Sequence, residues 1–202
     1  MHIAEGVLSP AVLLTGYALT AAGTAVGLQR LDYDRLMTVA ILAAAFFVGS
    51  LIHVPIGPSS AHLILNGLLG VILGWAAIPA ILAGLALQAL LFQFGGFTVL
   101  GVNTATMGFA AVLSWYMFRG LCRIMPSAGG RRAAAFCCGA LGVLAAALFT
   151  ALALSASDEG FAAAARLLFL AHLPIMLVEG LITMFTVDFI AKVRPELLRL
   201  AV

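Results

Sequence analysis

The chain contains 202 residues, of which 64% are hydrophobic and only 9% are charged, and its mean hydropathy is +1.18. These values are too apolar for a soluble globular domain, and they predict an integral membrane protein of one domain. The net charge of +2 excludes the extended basic surface on which a nucleic-acid-binding protein relies.

A membrane-spanning helix requires about 20 apolar residues, and seven segments approach that length. In chain order they are residues 9–28, 36–52, 62–74, 78–92, 103–121, 133–154 and 161–190. Ser9 and Pro10 favour a helix start, and Pro174 is expected to divide the last segment into an interfacial piece and a spanning helix. The sequence therefore predicts an all-α membrane protein, in which residues 1–202 form a single domain with seven transmembrane helices.

The distribution of Lys and Arg predicts the orientation, because cytoplasmic loops carry the excess of basic residues. With seven spans, nine of the ten Lys and Arg residues fall on one side and only Arg166 falls on the other. The amino terminus is then outside and the carboxyl terminus is cytoplasmic. No removable signal peptide is recognisable, so Met1 is expected to be the mature amino terminus. All four histidines then lie on the outer side: His2, His53, His62 and His172.

The first two residues, Met1 and His2, offer three neighbouring nitrogens, which are the α-amine, the amide of His2 and its imidazole Nδ1. Together they can close two adjoining chelate rings around one ion, and a flat nitrogen set of this kind suits Ni(II) or Cu(II). One further nitrogen would complete a square plane, and His62 is the candidate for it. The alternative interpretation is that His2 belongs to a loose chain end and that His62 caps a helix or bonds to a carbonyl.

Polar residues within membrane spans are functional candidates, because lipid offers them no hydrogen-bond partner. Asn66 lies one predicted helical turn after His62 and is a candidate to hold the imidazole from behind. Asn103 and Gln88 are candidates for the same task, or they join helices by hydrogen bonds. Glu179 is interpreted as protonated, paired or part of a coupling surface.

The remaining polar residues have plainer interpretations. His53 is a further candidate metal contact, whereas His172 is expected to pack or to lie at the interface. Asp188 is expected to pair with Lys192 one turn later. Small residues at helical spacing permit close helix approach, with internal packing favoured over docking to a coupling protein. These residues are Ala18/Ala22, Ala21/Ala25 and Ala40/Ala44.

Several stretches together resemble the CbiM/NikM family, the substrate-capture components of energy-coupling factor transporters for cobalt and nickel. They are MHIAEGVLSP at 1–10, the glycine loop that ends in His62, QALLFQFGGFTVLGVN at 88–103 with Met107-Gly108, HLP at 172–174 and EGLIT at 179–183. The resemblance covers nearly the whole chain. Two departures are Thr106, where many members have a second asparagine, and the residues of the loop before His62.

The resemblance implies a seven-helix protein whose loop 1–8 folds into the helix bundle and binds one Ni(II) or Co(II). The implied ligands are the amine of Met1, the amide and imidazole nitrogens of His2 and the imidazole of His62. Members work in the plasma or inner membrane with a transmembrane coupling protein and two cytoplasmic ATPase subunits, often with a further small membrane protein. This chain has no G-x-x-x-x-G-K-[ST] loop. It is therefore expected to be a transport component without enzyme activity or a cofactor. The predicted orientation places its metal site on the outer side, from which it would capture the ion.

Two functions of other classes remain as alternatives. An intramembrane serine hydrolase would use Ser59 or Ser60 as nucleophile and His53, His62 or His172 as base. Against it, no glycine follows the serine as in a G-x-S-x-G motif, and the sequence has no H-E-x-x-H. A membrane scaffold that binds only partner helices leaves the shared outer side of the histidines without an explanation.

Overall fold

The structure is a computed structural model that describes residues 2–51, 53–56 and 59–198. The described residues contain seven α-helices and one two-stranded antiparallel hairpin. In chain order these are α1 (Pro10–Gln29), α2 (Leu36–Gly49), β1 (His53–Ile56), β2 (Ser59–His62), α3 (Asn66–Leu73), α4 (Ala77–Phe92), α5 (Leu100–Ile124), α6 (Ala128–Ser157) and α7 (Ala162–Val193). Short 3₁₀ turns cover Tyr33–Arg35, Gly74–Ala76, Glu159–Phe161 and Pro195–Leu198.

The predicted membrane character is confirmed, because four segments of the described chain are long and apolar enough to cross a bilayer. They are Pro10–Gln29, Asn66–Phe92, Ala128–Ser157 and Arg166–Val193. The helices follow the predicted segments in order. The number of helices that cross the membrane, and the side on which each terminus lies, stay predictions.

Helix α3 differs most from its predicted segment. It begins at Asn66 rather than at His62, and its eight residues, all buried, cover only about 12 Å of the ~30 Å hydrocarbon core. His62 instead ends strand β2, where it pairs with His53. Leu65, just before the helix, has a left-handed backbone conformation with φ +53°. A hairpin and a turn therefore replace the predicted first turn of this helix.

Helix α7 is continuous, so the predicted division at Pro174 is wrong. A proline removes one intrahelical hydrogen bond, but α7 packs extensively against α6, which favours a continuous helix. Two glycines permit the close approach. A Cβ at Gly139 would lie 2.5 Å from the carbonyl oxygen of Glu179, and one at Gly180 would lie 2.8 Å from the ring of Phe136.

Helix α1 packs through a different set of small residues from the one predicted. A Cβ at Gly16 would lie 2.3 Å from the side chain of Val102, and one at Gly27 would lie 2.6 Å from the carbonyl oxygen of Trp75. Only glycine allows α1 to approach its neighbours so closely. The prediction that the alanine pairs pack inside the bundle is therefore wrong. The alanines that are exposed instead are Ala18, Ala21, Ala22, Ala25, Ala40 and Ala44.

The predicted pair between Asp188 and Lys192 is confirmed, at 2.9 Å. Asp188 also accepts a hydrogen bond from Nε of Arg132 on α6, at 2.7 Å. Ion pairs with exposed partners contribute at most about 1 kcal/mol each. Their main effect is to fix the relative position of α6 and α7 at this end of the bundle.

Candidate metal site

His2 and Ile3 lie inside the helix bundle. His2 is 6% exposed and Ile3 is fully buried. The N–H of Ile3 donates to Oδ1 of Asn103 on α5, at 2.9 Å, and Nδ2 of Asn103 donates to the carbonyl oxygen of Ile3, at 3.3 Å. These two hydrogen bonds satisfy both backbone groups of Ile3, as a neighbouring strand would. Residues 2 and 3 are thus held in place rather than loose, while Met1 lies outside the described residues.

A glycine loop after α4 contacts the next part of this amino-terminal segment. The Glu5 carboxylate accepts hydrogen bonds from the backbone N–H of Thr98, at 3.0 Å, and from its hydroxyl, at 3.1 Å. These hydrogen bonds hold the pKa of Glu5 below its usual range. Gly95 and Gly96 have φ values of +73° and +109°, and a Cβ at Gly96 would lie 2.2 Å from Cδ of Glu5. The loop fits against the segment only because these positions are glycine.

The imidazole of His2 is oriented by Gln88 on α4. Its Nε2 lies 2.8 Å from Oε1 of Gln88, whose Nε2 donates to the carbonyl oxygen of Phe47, at 2.9 Å, and to the hydroxyl of Ser50. Because the amide nitrogen of Gln88 is occupied in this way, its oxygen faces His2 and accepts from Nε2–H. The lone pair of the His2 ring then lies on Nδ1, the nitrogen that can chelate an ion together with the backbone amide.

His62 lies beside His2 in the interior. It is 3% exposed, and the two ring centroids are 4.6 Å apart, with planes inclined by 32°. Nδ1 of His62 donates to the carbonyl oxygen of Leu63, at 2.7 Å, which places the ring's lone pair on Nε2. Burial lowers the pKa of His62, which lies in the hairpin outside the helices, well below its ordinary value. The ring is therefore neutral at pH 7, the form in which imidazole binds a metal.

Two imidazoles lie side by side, and a protein oxygen contacts one nitrogen of each ring. This is the usual arrangement of metal-binding histidines, in which the second ring nitrogen is held by a hydrogen bond. Within residues 2–51, 53–56 and 59–198, no group of three or more His, Cys, Asp or Glu side chains could hold a metal ion. His2 and His62 each supply a ring nitrogen as a possible metal donor. A nitrogen-rich set of this kind favours late transition metals over Mg(II) or Ca(II).

Asn66 lies near these rings in sequence, but its side chain bonds elsewhere. Its Nδ2 donates to the carbonyl oxygen of Gly142 on α6, at 3.0 Å, and its Oδ1 accepts from the N–H of Gly67, at 2.9 Å. The predicted position one helical turn after His62 is wrong, because α3 begins only at Asn66. In the structure Asn66 joins α3 to α6.

The other predicted residues fall into two groups. His172 and Glu179 are both fully buried on α7, where Nδ1 of His172 donates to the carbonyl oxygen of Leu168, at 2.7 Å. Glu179 accepts hydrogen bonds from the backbone that follows His62. The second group consists of residues whose side chains lie outside the described part of the structure: His53, Ser59 and Ser60.

Sequence reasoning missed the contact of Glu5 with the glycine loop and the contact of Ser50 with Gln88. Glu5 and Gly96 both lie in stretches that carry the family resemblance, so a signal for their contact was present. No local pattern marks Ser50. Its place behind Gln88 depends on how α2 packs against α4.

Comparisons with known proteins identify the family to which the chain belongs. The chain matches, over residues 2–197, a family model described as the cobalt uptake substrate-specific transmembrane region. It is 41% identical over 199 residues to a putative metal transport protein of Haemophilus influenzae, covering 98% of this chain and 97% of that protein. It is 33% identical over 205 residues to a putative fused nickel transport protein NikMN of Archaeoglobus fulgidus, covering 98% of this chain and 68% of that protein. A crystal structure described as a transition metal transporter is similar with a TM-score of 0.80 and 31% identity, covering 96% of this chain and 93% of that one.

Proposed function

Since this chain belongs to the family of cobalt uptake substrate-specific transmembrane regions, we propose that it captures the ion for an ATP-driven importer of Ni(II) or Co(II). The chain has no phosphate-binding loop, so ATP would be hydrolysed by two separate cytoplasmic subunits joined to it through a transmembrane coupling protein. A small accessory membrane protein is a further partner. The protein would lie in the plasma or inner membrane as a multi-pass protein, with its site open to the outer side.

The observation that carries this proposal is the close pair of buried imidazoles at His2 and His62, each held through one nitrogen by a protein oxygen. One ion would be bound by the amine of Met1, the amide nitrogen and Nδ1 of His2, and Nε2 of His62. Neither His53 nor Asn66 is required in this set. Gln88 and Asn103 would act from behind the ligands, by holding the ring of His2 and the main chain of Ile3.

Selectivity would follow from geometry. Four nitrogens in a plane exclude Mg(II) and Ca(II), which prefer oxygen ligands, and disfavour Zn(II), which prefers a tetrahedron. Ni(II), Co(II) and Cu(II) can all be accommodated. Because the metal displaces protons from the amine and the amide, its affinity should fall in acid.

Binding of Ni(II) to the purified protein tests the ligand set. Two residues placed ahead of Met1 would move the amine out of reach of the ion. A single added residue is a poorer test, since it would create an amine, two amides and an imidazole that chelate without His62. We expect this extension and the His62→Ala variant each to weaken binding at least tenfold, while two residues appended after Val202 leave it unchanged. Wild-type affinity in both site variants would refute the proposed site.

Uptake in cells that lack their own nickel and cobalt importers tests the transport role. Accumulation of Ni(II) or Co(II) is expected when the chain is produced together with its coupling protein and ATPases. It should be lost when the lysine of the G-x-x-x-x-G-K-[ST] loop in the ATPase subunits is replaced. The preferred ion in this assay identifies the physiological cargo. Accumulation that is equal without the ATPase subunits would contradict an ATP-driven importer.

A further inference from the structure

Glu179 is a buried carboxylate on α7 that makes all its described hydrogen bonds to the turn following His62. Its Oε1 accepts from the N–H of Ile64, at 2.5 Å, and from the N–H of Leu65, at 2.8 Å. Its Oε2 also accepts from the N–H of Leu65, at 3.0 Å. Both partners are N–H donors, so the carboxyl group of Glu179 is the acceptor in all three contacts.

This carboxylate binds backbone N–H groups just ahead of α3, in the way that the Glu of a capping box binds the N–H of the N-cap residue. The residue at the N-cap position is Leu65, whose side chain makes no capping hydrogen bond and whose φ is +53°. The first N–H groups of a helix and those just before it are left without helical partners and carry partial positive charge. Glu179 supplies the missing acceptor from another helix, and so it stabilises a turn that a leucine would not adopt by itself.

The two imidazoles are attached to different parts of the bundle. On one side, Gln88 of α4 and Asn103 of α5 hold His2 and Ile3. On the other side, the turn after His62 is attached to α7 through Glu179, and the start of α3 is attached to α6 through Asn66. The 4.6 Å separation of the rings therefore depends on two independent sets of contacts. Of the three residues between His62 and α3, Ile64 and Leu65 donate their backbone N–H groups to the Glu179 carboxyl group.

We infer that Glu179 is a positioning residue, which fixes the turn after His62 so that Nε2 of that ring can bind the same ion as His2. The inference rests on the proposed function, because it assigns to Glu179 a part in the same metal site. Glu179 does not touch the ion. It acts through the backbone of Ile64 and Leu65, and the ion in turn would link α7 to the amino-terminal segment.

A double-mutant cycle separates this role from a general contribution to folding. The four proteins are wild type, Glu179→Gln, His62→Ala and the double variant, each purified whole. Their affinities for Cu(II) and Ni(II) are measured by competition with a chelator. Cu(II) is included because it binds nitrogen sites more tightly and keeps the weakest variants measurable. Residues that support metal ligands typically cost about 10–100-fold in affinity when replaced.

We expect Glu179→Gln to lower affinity about 10–100-fold in the wild-type background and to cause no further loss in the His62→Ala background. Thr183→Val is the matched control, because Thr183 is buried one turn further along α7 and its hydroxyl has no partner among the described residues. It should leave affinity unchanged. Equal losses in both backgrounds, or no loss in either, would overturn the inference while leaving the proposed function intact. Unchanged binding in His62→Ala alone would instead refute the proposed ligand set.

Thermal unfolding of the metal-free proteins guards against a folding defect. Glu179→Asp, which retains the charge but shortens the side chain, provides a second variant if Glu179→Gln does not fold. Ni(II) is expected to raise the Tm of the wild-type protein. A positioning role predicts that the substitution reduces this Ni(II)-induced rise by more than it lowers the Tm of the metal-free protein. If neither variant folds, Glu179 is a structural residue and the inference is wrong.

Discussion

Replacing Gly96 by alanine should weaken metal binding without touching a ligand. The new Cβ would lie 2.2 Å from Cδ of Glu5, whereas carbon atoms in contact are about 3.5–4.0 Å apart. The carboxylate must therefore move by more than about 1 Å and lose its hydrogen bonds to Thr98. In addition, φ is +109° at this position, and a non-glycine residue there costs about 1–3 kcal/mol.

This cost falls on the arrangement in which the loop holds the amino-terminal segment. If the ion binds only that arrangement, the binding free energy becomes weaker by up to the same amount. This corresponds to a loss of affinity of about 5–150-fold. Isothermal titration of Ni(II) into the detergent-solubilised protein measures the effect. Gly120→Ala on α5 is the matched control, because a Cβ there meets nothing within 4 Å. A folded Gly96→Ala variant that binds Ni(II) within twofold of wild type would refute the reasoning.

Three further outcomes are expected. Gln88→Met removes the acceptor for Nε2 of His2 and should weaken Ni(II) binding about 10–100-fold; an unchanged Kd would show that the ring needs no such support. Gly70→Ala places a Cβ 2.0 Å from the carbonyl oxygen of Ala111. Overpacking that costs about 1–3 kcal/mol should lower Tm by about 2–12 °C. An unaltered melting curve would contradict the close approach of α3 and α5. The lowered pKa of Glu5 means that its contact with Thr98 is complete at pH 7 and is lost only as the pH falls through that lowered pKa. Glu5→Gln should therefore speed hydrogen exchange of the Thr98 amide at pH 7. Equal exchange in the two proteins would show that the charge of Glu5 does not strengthen this hydrogen bond.

The site could be predicted in part because some of its chemistry is local. A Met-His start places three nitrogens within one short stretch of chain, whatever the fold. His62 was identified by its type and by its predicted side of the membrane. The roles of Gln88 and Asn103 could not be separated from simple joining of helices, since both roles use the same amide groups. The structure separates them, because Gln88 contacts the ring of His2 and Asn103 contacts the main chain of Ile3.

Membrane character can be predicted from the sequence, and so can the order of the helices and the set of candidate side chains. These depend on the length of apolar runs and on residue type, both of which are properties of the chain taken locally. Helix spacing also showed which small residues share a face, such as Ala18 and Ala22. It could not show that the glycine face of α1 is buried and that this alanine face is exposed.

The environment of His62 depends on contacts between distant parts of the chain. A local helical pattern would carry α3 back to this histidine, but pairing with β1 and the Glu179 carboxylate, 115 residues away from Ile64, hold the chain as a hairpin and a left-handed turn. Such a turn is stable only because a distant acceptor satisfies backbone groups that no neighbouring residue can reach. The meeting of His2 with His62 follows from contacts of the same long-range kind, and no spacing along the chain encodes it.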